Sequence, residues 1–229
     1  MTETALIVGA GHGLSASLAR LFAGEGIQVA LACRHPEKVS ELCDEIGAQA
    51  YACDASQPEQ VNSLFVDLNK QYQSIDTVVY NPSARVRGPL PELVASDVER
   101  AISVTAFGGF LVGQQAAKRM LVQGHGTILF TGASASVKGY AQSAPFAMGK
   151  FALRGLAQSM ARELAPRNIH VAHFIIDGGI CSANKQQSSE NADALLDPDA
   201  IARSYLDVMR QQRSAWTWEM ELRPWVEKF

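Results

Sequence analysis

Lys150 and Phe146 stand four residues apart in the segment PFAMGK, at what reads as the start of a helix. Lys150 is placed for chemistry. One helical turn before it, Phe146 offers a benzene ring with neither an acid nor a hydrogen-bond donor. Three glycines far upstream, Gly9, Gly11 and Gly13 in VGAGHGLSASLA, form a second candidate centre. Glycines between a strand and a helix let the chain turn tightly and bring backbone N–H groups close to a pyrophosphate, with the helix N-terminus facing the anion. The strict G-x-G-x-x-G pattern fails, because Leu14 occupies its last position. A glycine-rich turn without a ligand is the structural alternative.

The end of the second strand reads Cys33-Arg34-His35 and carries no acid. An acid there would bind the adenosine ribose hydroxyls of NAD. Arg34 instead suits bidentate contact with a 2′-phosphate, so the expectation is NADP(H) over NAD(H). His12, inside the glycine turn, adds a possible donor. A solvated surface arginine is the alternative for Arg34. Asp54, closing the third strand, is placed to accept a hydrogen bond from an adenine amino group; otherwise it is a cap or turn aspartate.

These residues need a scaffold, and the hydrophobic pattern supplies one. Apolar runs at 5–10, 28–34, 48–54 and 75–81 alternate with helical patterns at 14–26, 36–47 and 58–72. Long helices are predicted at about 96–122 and 145–164, strands at 126–133, 169–177 and near 216–223, and a helix at about 198–213. Uninterrupted apolar strands between amphipathic helices predict an α/β, Rossmann-type, doubly wound and mostly parallel sheet of about seven strands, covered on both faces. No repeat or linker divides the chain, so residues 1–229 are expected to form a single domain with a mobile substrate loop at about 181–197.

Composition narrows the partners. The 229 residues carry a net charge of −3 and are 47% hydrophobic, with no basic run, which argues against nucleic acid. No stretch approaches the roughly 18 apolar residues of a membrane span, and MTETALIVGAG lacks a signal-peptide pattern. The four cysteines form no C-x-x-C pair, so metal sites and disulfides are not expected, and the expected location is cytoplasmic.

With these residues in hand, the chain resembles the short-chain dehydrogenase/reductase family over nearly its whole length. That family's Thr-Gly-x-x-x-Gly-x-Gly motif matches Val8 to Ser15, with threonine replaced by Val8 and the last glycine by Ser15. Its adenine-pocket aspartate matches Asp54. Its Asn-Asn-Ala-Gly motif is weakened to Tyr80-Asn81-Pro82-Ser83, and its Pro-Gly segment near the nicotinamide reads Asp177-Gly178-Gly179-Ile180. The resemblance implies hydride transfer with a nicotinamide cofactor. The cofactor contacts it implies are Gly9, Gly11, His12, Gly13, Leu14, Arg34, Asp54, Asn81, Lys150, Gly178 and Ile180.

The resemblance also marks what is missing. Lys150 matches the family lysine, but the tyrosine position is Phe146, the serine position is Ala133 and the asparagine position is Thr105. Tyr140 and Ser134 are the candidate replacement donors, with Ser143 nearby; each is otherwise an ordinary loop residue. His173 reads as a satisfied core or sheet residue, and Trp216, Trp218 and Trp225 as core or interface. The expected function is an NADP(H)-dependent oxidoreductase with a non-standard site, acting on a small carbonyl, an alcohol or an activated double bond. The alternative is an NADP(H)-binding protein without turnover, serving as a redox sensor or partner subunit. The two long helices, rich in glycine and alanine, imply a homodimer or homotetramer.

Overall fold

The structure is a computed structural model that describes residues 2–182 and 193–226. Seven strands form one parallel sheet in the order β3-β2-β1-β4-β5-β6-β7. They are β1 (Thr4–Val8), β2 (Gln28–Cys33), β3 (Gln49–Ala52), β4 (Thr77–Tyr80), β5 (Gly126–Thr131), β6 (Ile169–Ile176) and β7 (Glu219–Leu222). Every residue of β1, β4 and β6 is buried, which is why these strands read as continuous apolar runs.

The strand period of two sorts side chains between two cores. Leu6, Val8, Val78, Tyr80, Ile128 and Phe130 pack under α3 (Pro58–Gln71), α5 (Gly108–Gln123) and α6 (Ala144–Leu164). Ala5, Ile7, Val29, Leu31, Val79 and Leu129 face α1 (Leu14–Gly24), α2 (Ser40–Ile46) and α7 (Pro198–Met209). The doubly wound expectation is therefore met, with strand order reversing direction between β1 and β4. That reversal opens a crevice at the carboxyl ends of the strands, where such sheets bind ligands.

Several boundaries differ from the sequence expectation for physical reasons. The helix expected at 96–122 is α4 (Ala95–Ile102), a π-helical turn (Ser103–Phe107) and then α5. The Tyr80 hydroxyl donates to the Val104 carbonyl, diverting an acceptor from the helix ladder at this turn. At Gly108 a Cβ would lie 2.7 Å from the Ala55 carbonyl oxygen, so the helix runs close against the sheet edge there. The segment expected as one helix at 36–47 is a 3-10 turn (Pro36–Val39) followed by α2. The last helix stops at Met209, and the last strand is shorter than expected because Trp216 leaves it to stack on His170 at 4.6 Å. Of the loop expected at 181–197, residues 183–192 lie outside the described residues. Its ends meet where Cys181 N–H donates to the Leu196 carbonyl at 2.8 Å and Leu196 N–H to that of Gly179 at 2.8 Å.

Candidate active site

Two cavities line the crevice and share Asn81 and Ser83 at the end of β4. The first, about 440 Å³, holds Gly9, Gly11, His12, Arg34, Lys38 and Asp54. Gly9 takes a positive φ of 82°, and a Cβ there would lie 2.7 Å from the Pro82 nitrogen, so only glycine fits. A Cβ at Gly11 or Gly13 would meet nothing within 4 Å. The first turn of α1 carries no side-chain cap and no acidic residue. Open space over uncapped N–H groups suits an anion. Ser15 explains the departure from the family motif: its hydroxyl donates to the Gly9 carbonyl at 3.0 Å and accepts from Asn81 Nδ2 at 2.7 Å. It ties the turn to the end of β4. The Asp54 carboxylate accepts from the Ser56 N–H at 3.0 Å and hydroxyl at 2.7 Å, the turn-type contact expected as its alternative role.

The second cavity, about 740 Å³, lies over the start of α6 and is lined by Lys150, Phe146, Ala133, Ser134, Tyr140 and Arg85 among others. Lys150 is buried, and its ammonium donates to the Thr131 carbonyl at 2.6 Å. An ammonium has three donors, and no second acceptor holds this one among the described residues. Burial, and secondarily the charge of Arg85, pushes the Lys150 pKa down to about 7. Thr131 is held in turn by the Tyr205 hydroxyl at 2.9 Å. Tyr205 is itself buried on α7, stacked on Phe174, and does not line the cavity.

A buried hydrogen-bond chain supports the cavity floor. Arg154 grips Glu219 through two bonds of 2.6 and 2.8 Å, and Glu219 stands 3.0 Å from His173 Nδ1. His173 Nε2 meets the Ser136 hydroxyl at 3.3 Å, and that hydroxyl accepts from the Ala133 N–H at 3.2 Å. Burial first of all pushes His173 down to about 4, so at neutral pH it is uncharged. Its one proton then belongs on Nδ1, facing the acceptor-only carboxylate, and Nε2 receives the Ser136 hydroxyl. Burial raises Glu219, but its bonds to Arg154 and His173 outweigh that and hold the pKa below the usual carboxylate value. His173 is thus the satisfied sheet residue expected from the sequence. Gly132 is required above it, because a Cβ would collide with the imidazole.

Residues 3–193 match the family model described as short chain dehydrogenase. The chain belongs to the short chain dehydrogenase family. By family it is an oxidoreductase. A solved short-chain dehydrogenase from Rhodopseudomonas palustris is 36% identical, with a TM-score of 0.86 over 97% of this chain and 99% of that one. The "Short chain aldehyde dehydrogenase 1" of Euphorbia lathyris is 29% identical over 74% of this chain, and the match spans only 61% of that protein. An alcohol dehydrogenase from Thermococcus sibiricus, solved with 5-hydroxy-NADP, is 21% identical and shares the fold, with a TM-score of 0.87 over 100% of this chain and 99% of that one.

Against the family pattern, the expected residues divide. Gly9, Gly11, His12, Arg34, Asp54 and Asn81 line the first cavity, whereas Gly13 and Leu14 begin α1 outside its lining. Lys150, Phe146, Ala133, Ser134, Tyr140, Ser143, Gly178 and Ile180 line the second. Thr105 does not: it is buried in the π-helical turn, packs against Gly149 and accepts the Ala84 N–H at 3.2 Å. It anchors a loop instead of facing the cavity. Trp216 packs against His170, Trp218 lies 5.6 Å from the Arg154 guanidinium, and Trp225 is exposed with its N–H on Asp193. None of the three lines either cavity. Sequence reasoning missed Lys38, Ser15, Ser136, Arg85 and Arg87. The alternation Arg85-Val86-Arg87 was the available signal for the last two.

Proposed function

We propose that the protein is an NADP(H)-linked oxidoreductase acting on a small carbonyl, alcohol or activated double bond, with a site that lacks the family's phenol. The observation that carries this reading is the Lys150 ammonium, buried with spare donors in a cavity that shares Asn81 and Ser83 with the one holding the glycine turn. Lys150 and the glycine turn both suit a dinucleotide: the uncapped turn of α1 takes the pyrophosphate and the lysine takes ribose hydroxyls. The bound nicotinamide would supply or accept a hydride. Arg34 and Lys38, together at the rim of the first cavity, favour a 2′-phosphate. The Thermococcus protein's 5-hydroxy-NADP is consistent with the same cofactor class. Gly178 and Ile180 line the far end, where a carboxamide would meet backbone groups.

Proton transfer falls to other residues, since Phe146 has no proton to give. Tyr140 is 47% exposed and lines the cavity, as does Ser134; each is a candidate donor. Titration of NADPH and NADH by fluorescence tests the cofactor assignment, and equal affinities for the two would overturn the NADP(H) preference. NADPH oxidation with ketones, aldehydes and activated alkenes then tests turnover, with Tyr140→Phe and Ser134→Ala locating the donor.

The second reading is a cofactor-binding protein without turnover. Phe146 and the buried Thr105 favour it, because two of the family's proton-handling positions are inert here. Tight NADPH binding with no oxidation on any substrate is its expected signature. For assembly, we propose a homodimer or homotetramer built on the α4–α6 surface. Phe107 and Phe110 stack there at 6.1 Å, and Phe107, Phe110, Met148 and Phe151 are all more than 40% exposed. The four free cysteines fit the expected cytoplasmic location. Among the described residues no helix is long and apolar enough to cross a membrane.

A further inference from the structure

The segment after β4 turns two arginines into the second cavity. Arg85 and Arg87 both line it. The segment is pinned at each end: Ala84 N–H donates to Thr105 Oγ1 at 3.2 Å, and Gly88 N–H to the Gln142 carbonyl at 3.1 Å. The residue at the family's asparagine position therefore fixes the backbone immediately before Arg85. The Arg85 guanidinium lies 4.4 Å from the centre of the Phe146 ring, and the Lys150 ammonium 5.9 Å from the same ring. Phe146 is buried and Lys150 is 2% exposed, so the ring is a fixed platform between two cations.

Among the described residues no carboxylate balances them: none stands within ion-pair distance of Arg85, Arg87 or Lys150. Among the described residues, the one carboxylate lining the cavity, Asp177, is already engaged by Lys138 at 3.6 Å and Arg223 at 3.5 Å. The cations also act on one another: burial and then Arg87 lower the Arg85 pKa, as burial and then Arg85 lower that of Lys150. Arg85 and Arg87 are exposed, so water screens part of their repulsion, and an anion placed among the three cations adds favourable Coulomb energy. The dinucleotide phosphates do not answer this need, since the glycine turn, Arg34 and Lys38 lie in the other cavity.

We propose that the substrate is anionic, carrying a carboxylate or phosphate that seats on Arg85 and Arg87 beside the Phe146 ring, and that Arg85 determines this specificity. A guanidinium held over a ring face leaves N–H groups available for contact with an oxyanion. The tyrosine position has become the support for an anion clamp. The inference rests on the oxidoreductase reading for the word substrate, but its test does not depend on turnover.

Calorimetry with NADP-saturated protein gives that test. Matched pairs separate the anion sources: pyruvate against pyruvamide for a carboxylate, dihydroxyacetone phosphate against dihydroxyacetone for a phosphate, with oxalate and inorganic phosphate as unreactive probes. At least one anionic probe is expected to bind ten-fold or more tighter than its neutral partner. Arg85→Gln should reduce that affinity on the order of 10–100-fold, Arg87→Gln less, and both should leave the neutral partner unchanged. Arg85→Lys, which keeps the charge and loses the fork, should restore part of it. NADPH affinity is read in each variant and should stay within a few-fold. Failure of the unmodified protein to bind NADPH counts against the oxidoreductase reading, while the anion titration is still read on the free protein. Equal binding of anionic and neutral partners, no saturable binding of any anion up to tens of millimolar, or full anion affinity in Arg85→Gln each overturns the proposal.

Discussion

At the Gly9–Gly13 end of the crevice, the cavity is shaped by backbone, a positive-φ glycine against Pro82 and an uncapped helix turn, tied to Asn81 by the Ser15 hydroxyl. At the Lys150 end the cavity is lined by side chains, and there the reading we propose departs from the family pattern. Backbone recognition of a pyrophosphate tolerates many substitutions around the glycines, because the contacts are N–H groups that every residue but proline owns. Side-chain catalysis does not, because a phenol replaced by a benzene ring loses its proton outright. Arg85 lies over the Phe146 ring, and Thr105 anchors the loop that carries Arg85.

The contrast is sharpest if turnover can be restored. Phe146→Tyr with Ala133→Ser should raise ketone reduction by on the order of 10²-fold or more, measured as NADPH oxidation under saturating cofactor. No gain would mean that the cavity now serves another chemistry. A second comparison removes one cation from each end. Lys150→Met and Arg34→Ala should each weaken NADPH binding about 10–100-fold, the scale of lost hydrogen bonds to charged groups. Only Arg34→Ala should leave NADH nearly unchanged, because only the 2′-phosphate distinguishes the two cofactors. A like loss of both cofactors in Arg34→Ala breaks the assignment.

Titration probes the Lys150 end through stability. Lys150 has a pKa near 7 in the folded protein against the ordinary 10.5. Between these values the unfolded chain binds more protons, so stability rises with pH in that window. The cofactor-free protein should gain about 2 kcal/mol from pH 7 to 9 in urea unfolding, and Lys150→Met should flatten the rise. His173, near 4 when folded against the ordinary 6.5, is penalised as pH falls below about 6.5, with the penalty complete near 4. Glu219 acts in the same direction, since its lowered pKa gives stability that is lost as pH falls through the carboxylate range. Melting curves from pH 7 to 4.5 should therefore fall less steeply in His173→Gln than in the unmodified protein. The smallest effect concerns assembly: Phe110→Glu should shift light scattering toward monomer with little change in NADPH affinity, and a monomeric unmodified protein would refute the proposed dimer or tetramer.

The doubly wound sheet was legible in the sequence because its central strands are buried on both faces and so carry uninterrupted apolar runs. The glycine turn was legible because only glycine tolerates the Gly9 conformation, and the pairing of Phe146 with Lys150 because four residues are about one turn of a single helix. These are local properties of neighbouring residues. The partners of those residues were decided by the tertiary structure alone. Ser15 meets Asn81 across 66 positions, Thr105 meets Ala84 across 21, and Ser136 meets His173 across 37. No periodicity encodes such pairings, because each depends on which strand ends the parallel order brings side by side. The same holds for Arg85 and Phe146: one is a loop residue and the other a helix residue, and only the folded crevice sets the guanidinium on the ring.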